Sequence, residues 1–310
     1  MNWERTQKRQ FDRLEKAEEK LFQRLNAFYK REVKSLEKEV AEYYARYGKE
    51  NVIEYNKLML SLDEQDVQML LENMDDFVRK YPQYAHLMPV RESIYKLNRL
   101  QGLQHSFYTK IMETGAMEEE ELQKHLAKVY ETGNRTVVQS LGLSDAIGGV
   151  RRDAIIRTLG NKWVNGENFN DRIRNNRRKL SNYINNEVRD GFIRGDSYDR
   201  IIRAMEERYL KIARNDIRKL VRTEGTYVMN EANAQVFEEH FQEYKYSAVL
   251  DRRTTRICRS MDGTIFKWED RQAGVNFPPM HPSCRSSFEV IIPDDWLDRE
   301  MRRANPGAFK

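Results

Sequence analysis

Cysteine and proline are the scarce residues of this 310-residue chain: two of the first and seven of the second. Two cysteines cannot build a disulfide framework for a fold of this length, so the composition points to assembly in a reducing cytoplasm. Long hydrophobic runs are missing too. No aliphatic run exceeds three residues, as in Val290-Ile291-Ile292, against the roughly 20 apolar residues that a membrane-spanning helix needs. The opening "MNWERTQKRQ" leads into no apolar core, so a secretory signal is not expected. Glycine is absent before Gly48, and proline is absent for 188 consecutive residues, from Val90 to Phe277. Helix is therefore left without its strongest breakers over most of the chain.

What the chain has in quantity is charge. Charged residues make up 33% of it against 39% hydrophobic, and the net charge is +5. That balance fits elongated helices with much solvated surface, in one large domain or two ordinary ones. The positive charge is uneven. Between Asn170 and Arg222, fifteen Lys and Arg stand against eight Asp and Glu, so the remainder of the chain is net negative. A segment of this kind suits nucleic acid, an acidic protein partner or a solvated helical face, and charge alone leaves the three open.

Apolar spacing places the elements. Phe11, Leu14, Ala17, Leu21, Leu25 and Phe28 recur at three- and four-residue steps; Val33, Leu36, Val40 and Tyr43 resume the pattern after one five-residue skip. About 40 residues of helix would reach about 60 Å, which predicts a coiled-coil-like arm. Pro82 and Pro89 punctuate, and shorter amphipathic helices are expected up to Ser140. A glycine-rich stretch from Leu141 to Phe169 then marks a joint. It divides a long-helix region over 1–140 from the rest, 141–310, and limited proteolysis should separate the two there. Beyond the joint, Leu180, Ile184, Val188 and Phe192 form a stripe at period four. Separate helices are expected to carry Ile201, Met205 and Tyr209, and then Leu220 to Val236. After residue 243 the period becomes two, and "YKYSAVL", "GTIFKW" and "SFEVII" read as strands, with a short helix over "DDWLDREMRR". The expected fold class is α+β, mostly α. Long N-terminal helices are followed by a helical region over 150–242, a small antiparallel sheet over 243–293, and a tail over 294–310.

Three of the seven prolines, Pro278, Pro279 and Pro282, crowd into "PPMHPSCRSS" with His281 and Cys284. Fixed φ and missing donors make this a stiff loop rather than a helix or central strand. If the strands pair, Cys258, in the turn after the first strand, can meet it. Two thiolates and an imidazole form a soft ligand set suited to Zn²⁺. For the fourth ligand, Asp262 is the first candidate and Asp251 the second. The spacing C-x3-D-x18-H-x2-C competes with two other readings: a pair of buried free thiols, and a Cys258–Cys284 disulfide formed after release from the cell. No residue is assigned a catalytic role. Glu224, beside Arg222 and Thr223 on a helical stripe, reads as a capping or ion-pairing residue rather than an acid–base group.

Asp251-Arg252-Arg253-Thr254, Cys258, Asp262-Gly263, Gly274, Pro278-Pro279 and His281-Pro282-Ser283-Cys284-Arg285 together resemble the signature of a known family. It is that of the Mu-F-like minor head proteins of tailed bacteriophages, also called phage head morphogenesis proteins. Upstream, Arg222-Thr223-Glu224 with Asn230 and Asn233, and Trp163, Gly166 and Phe169 with Arg172, resemble the helical segments that precede it. The likeness spans about residues 150–293. Two positions depart from it: Ser286 stands where many relatives have Cys, and Asp262 where many have His. The resemblance implies a structural virion protein and not an enzyme. It implies assembly in the host bacterial cytoplasm and a place inside the head at the portal vertex. Its partners would be the portal protein and the scaffolding and major capsid proteins, its role would touch DNA packaging or ejection, and its Zn²⁺ would be structural. Packaged DNA would meet the basic 170–222 segment; no membrane is involved. Two other function classes are carried alongside: a zinc-dependent nuclease or host-directed enzyme, and a helical DNA-binding protein.

Overall fold

The computed structural model describes residues 3–141, 150–238 and 240–291. Among them are nine α-helices: α1 (Trp3–Tyr47), α2 (Tyr55–Leu58), α3 (Glu64–Lys80), α4 (Arg91–Ile94), α5 (Arg99–Ser140), α6 (Arg152–Gly160), α7 (Phe169–Arg194), α8 (Tyr198–Phe237) and α9 (Arg256–Met261). Three strands, β1 (Glu243–Ser247), β2 (Ile265–Lys267) and β3 (Ser287–Val290), complete the α+β fold. The glycine-rich residues 142–149 and the expected helix over 294–303 lie outside the described residues. Contacts divide the chain into two units: Met1–Lys16, Leu126–Gly166 and Arg222–Lys310 in the first, Ala17–His125 and Glu167–Val221 in the second. Both units draw on sequence from either side of residue 140.

The second unit is helical. Along its part of α1 a buried stripe runs through Leu21, Leu25, Tyr29, Val33, Leu36, Val40 and Tyr43, with Phe22 buried beside it. Tyr29, not Phe28, continues the stripe, and with it every step is three or four residues; the apparent five-residue skip disappears. Helix α5 is a single helix of 42 residues where shorter ones were expected, because its glycines are packing positions and not breaks. A Cβ on Gly115 would come within 2.9 Å of Arg177 Cγ. Helix α7 starts with a capping box, in which Asn168 accepts from Asp171 N and Asp171 reaches back to the Asn168 N–H. It ends at Gly195, whose φ of 70° is the left-handed C-cap conformation that glycine adopts without strain. The two helices expected after it are one, α8, of 40 residues. Ala213 and Ile217 are both buried and bridge Tyr209 to Leu220, with neither Gly nor Pro between them.

The core of this unit holds charge. Arg177 occupies the stripe position between Ile173 and Leu180, and its Nε lies 3.0 Å from Glu118 Oε2, with both side chains only 1% exposed. The Tyr29 hydroxyl donates to the other oxygen of Glu118.

The first unit holds the sheet, in the order β2-β1-β3 with both pairings antiparallel. Tyr244 pairs with Phe266 on one side and Val290 on the other, and Tyr246 pairs with Phe288. Period-two alternation puts Tyr244 and Tyr246 on the buried side. One core cluster gathers Tyr244, Trp268, Phe277 and Phe288 against Phe237 of α8 and Val137 and Val138 of α5. From Val221 to Phe237, helix α8 has buried residues on every face, as expected of a helix at the centre of a core.

Candidate metal centre

Two connections of the sheet carry the site. After β1 the chain enters a turn in which Asp251 N–H donates to Thr254 Oγ1 at 2.7 Å and Asp251 Oδ1 accepts from Arg253 N at 2.7 Å. Thr255 then caps α9 by accepting from the Cys258 N–H, so Cys258 sits in the first turn of a short helix rather than in a loop. The D-G turn follows. Gly263, at φ 79°, donates to Tyr246 O, and Asp262 Oδ1 accepts from Ala248 N at 2.8 Å. The second connection runs from Phe277 to β3. Pro278 and Pro279 are buried and joined by a cis peptide bond, and Ser283 has a left-handed φ of 58°.

These connections bring three donors together. Cys258 Sγ lies 3.6 Å from Cys284 Sγ and 3.2 Å from His281 Nε2, and the three ligand atoms all fall within 4.8 Å of one another. A tetrahedral zinc ion with Zn–S near 2.3 Å and Zn–N near 2.0 Å has edges of about 3.7 Å between sulfurs and about 3.5 Å between sulfur and nitrogen. The observed spacings are close to those edges and far longer than the roughly 2.05 Å of a disulfide; both cysteines are free thiols. The donors therefore fit a soft metal ion. His281 is oriented for the task. Its Nδ1 is 3.0 Å from the Pro282 carbonyl, which can only accept, so the ring proton belongs on Nδ1 and Nε2 is left to ligate.

The electrostatics favour the same use. The hydrogen bond from Cys284 holds the Cys258 thiol well below the ordinary thiol range, and the same bond pushes the Cys284 thiol above it. The Tyr246 hydroxyl donates to Cys258 Sγ at 3.3 Å, and the Ser286 side chain hydrogen-bonds to both thiols.

Of the residues expected from sequence, Cys258, His281 and Cys284 converge. Asp262 is exposed, is engaged with the end of β1, and is not among the three clustered donors. Asp251 pairs with Arg285 at 2.7 Å, and that guanidinium holds its carboxyl below the usual carboxylate range. The pair ties the turn after β1 to the residue beside Cys284. The sequence placed Thr223 in a helical segment of the likeness but gave neither it nor Thr226 a role at the site. Thr223 Oγ1 accepts from Ser283 N at 2.9 Å, and Thr226 Oγ1 donates to Cys284 O at 3.0 Å. Their signal was a run of Thr and Asn recurring at three- and four-residue steps from Thr223 to Asn233. Trp163 stacks on Tyr227 with centroids 4.6 Å apart and donates to Glu224 Oε2 at 3.2 Å, which gives Glu224 a structural partner.

The stretch that matches a known family includes these three donors. Residues 182–289 match the family model described as Phage Mu protein F like protein, a span that contains β1, β2, most of β3 and all three donors. No curated protein and no solved structure matches the chain. Over residues 182–289, about a third of the chain and with all three metal donors inside it, the sequence is similar to the Phage Mu protein F like family.

Proposed function

We propose that the protein is a minor head protein of a tailed bacteriophage, bound at the portal vertex, that acts in head morphogenesis and in DNA packaging or ejection. The observation that carries this reading is the Mu-F-like match over 182–289 together with the Cys258–His281–Cys284 cluster inside it. The three residues would hold a Zn²⁺ ion that cross-links α9 to the loop before β3. A bound ion supplies charge and directed bonds where three short strands alone bury little surface. No described helix is long and apolar enough to cross a membrane.

Portal protein is the first partner proposed, with scaffolding and major capsid proteins next. For packaged DNA the basic 170–222 segment is the candidate, and the structure narrows it. Arg177 is buried against Glu118, Arg174 pairs with Glu119 and Arg194 with Asp196, so those cations serve the fold. Arg178, Lys179, Arg203 and Lys211 are among the cations exposed on α7 and α8 that could meet phosphate. The test is co-expression with the portal protein of the same phage, followed by purification on the portal. Retention of this chain, with about one zinc per copy, is expected. A chain that carries no zinc and does not co-purify, or that cleaves DNA in a metal-dependent way, would contradict the proposal.

A further inference from the structure

The loop that carries His281 and Cys284 does not lie on the sheet alone; one face of α8 grips its backbone. Thr223, Thr226, Asn230 and Asn233 stand three and four residues apart, so they line one side of the helix. All four are buried. Thr223 Oγ1 accepts from the Ser283 N–H at 2.9 Å, and Thr226 Oγ1 donates to the Cys284 carbonyl at 3.0 Å. Asn230 uses both ends of its amide, with Nδ2 donating to the Ser286 carbonyl at 3.1 Å and Oδ1 accepting from Ser287 Oγ at 2.8 Å. Gln7 of α1 closes the set, its Nε2 donating to Ser287 Oγ at 2.8 Å and to the Phe288 carbonyl. Each bond joins a helix side chain to a group between Ser283 and Phe288, within four residues of Cys284. None of these side chains is itself a metal ligand, and buried groups of this kind are expensive to leave unpaired.

We propose that Thr223, Thr226 and Asn230 are positioning residues: they form a polar template on α8 that holds residues 283–287 in the ligating conformation before any metal arrives. The two bonds of Asn230 fix the register of the loop along the helix, and the Thr226 bond fixes the peptide plane of Cys284 itself. Metal then closes a site already shaped, and the ordering cost of the loop is met by folding rather than by binding. This consequence for metal rests on the metal reading above; the template itself does not.

The experiment uses full-length, reduced, chelator-treated protein and the variants Thr226→Val, Thr226→Ser and Asn230→Ala. Hydrogen exchange read by mass spectrometry over 281–288 reports the loop without metal, and Co²⁺ titration reports affinity and the thiolate charge-transfer band. Protection of 283–286 in metal-free wild type is expected, with its loss in Thr226→Val and Asn230→Ala and its retention in Thr226→Ser. Co²⁺ affinity should fall about 10–100-fold in the first two, the range typical of outer-shell partners, and recover in Thr226→Ser. Thr226→Val is near-isosteric, so it keeps the test intact should Asn230→Ala fail to fold. An unprotected loop in metal-free wild type, or variants with wild-type protection and wild-type Co²⁺ affinity, would overturn the template. Wild type that binds no Co²⁺ overturns the metal reading alone, and the exchange result still decides the template.

Discussion

Ser286 shows how much one atom decides at the residue scale. Its side chain hydrogen-bonds to both thiols, at the position where the resemblance leads one to expect a third cysteine. Ser286→Cys would place another thiolate against the same donors. It should tighten Co²⁺ and Zn²⁺ binding by about tenfold or more, tenfold being about 1.4 kcal/mol; a competition titration with a chelator reads it, and unchanged affinity would show that position 286 does not face the ion. In the second unit, Arg177 and Glu118 make a buried pair whose partners are safe only together. Arg177→Met should destabilise by about 3–5 kcal/mol in denaturant unfolding, because the buried Glu118 carboxyl loses its cation and keeps only the Tyr29 hydroxyl, while Arg177→Met with Glu118→Leu should lose much less than the sum. His125 gives a pH signature. Burial, then the charge of Arg24, lowers its pKa to about 4, so the unfolded chain takes up a proton near pH 6.5 that the folded chain refuses. Its contribution is therefore complete above about pH 6.5 and is lost as pH falls toward 4; His125→Gln should flatten the fall in thermal midpoint over that window.

At the scale of elements, what the sequence made legible was period. The stripe of α1, the period-four stripe of α7 and the alternation of β1 were readable, because helix and strand each repeat on their buried side. The ends of helices were less so. The long α5 and α8 read as several pieces because glycine and alanine weaken the apolar signal, although in the structure Gly115 and Ala213 are where neighbours come close or the stripe continues. The same logic explains the site. His281 and Cys284 announced themselves by spacing and by the prolines around them, whereas the α8 template uses Thr and Asn, which a hydrophobicity pattern counts as breaks. Arg177 was hidden for the same reason, as a charge in the middle of an apolar row. Gly115→Ala should test the packing role of glycine. Alanine is about 1 kcal/mol better than glycine in a helix interior, but the added carbon meets Arg177 Cγ, so a net loss in the unfolding midpoint is expected.

For the whole molecule, the joint near residue 140 takes on a different meaning. Gln10 of α1 exchanges hydrogen bonds with Asn233 of α8, Gln7 bonds β3, and Tyr130 of α5 bonds Gln235, all within the first unit. A protease cut within 142–149 should therefore leave fragments that still co-elute on size exclusion, and separation into independent halves would contradict this packing. The metal-donor cluster belongs to the same unit, so its loss should act locally, leaving the helices folded and the protein soluble. The central claim is that this chain is a head protein whose metal-stapled module is needed for its place in the particle. The most direct measurement is the amount of the protein in purified particles, by quantitative mass spectrometry, for His281→Ala and Cys284→Ser against wild type at matched expression. A marked fall in incorporation in both variants is the predicted result, and wild-type incorporation in both would contradict the claim.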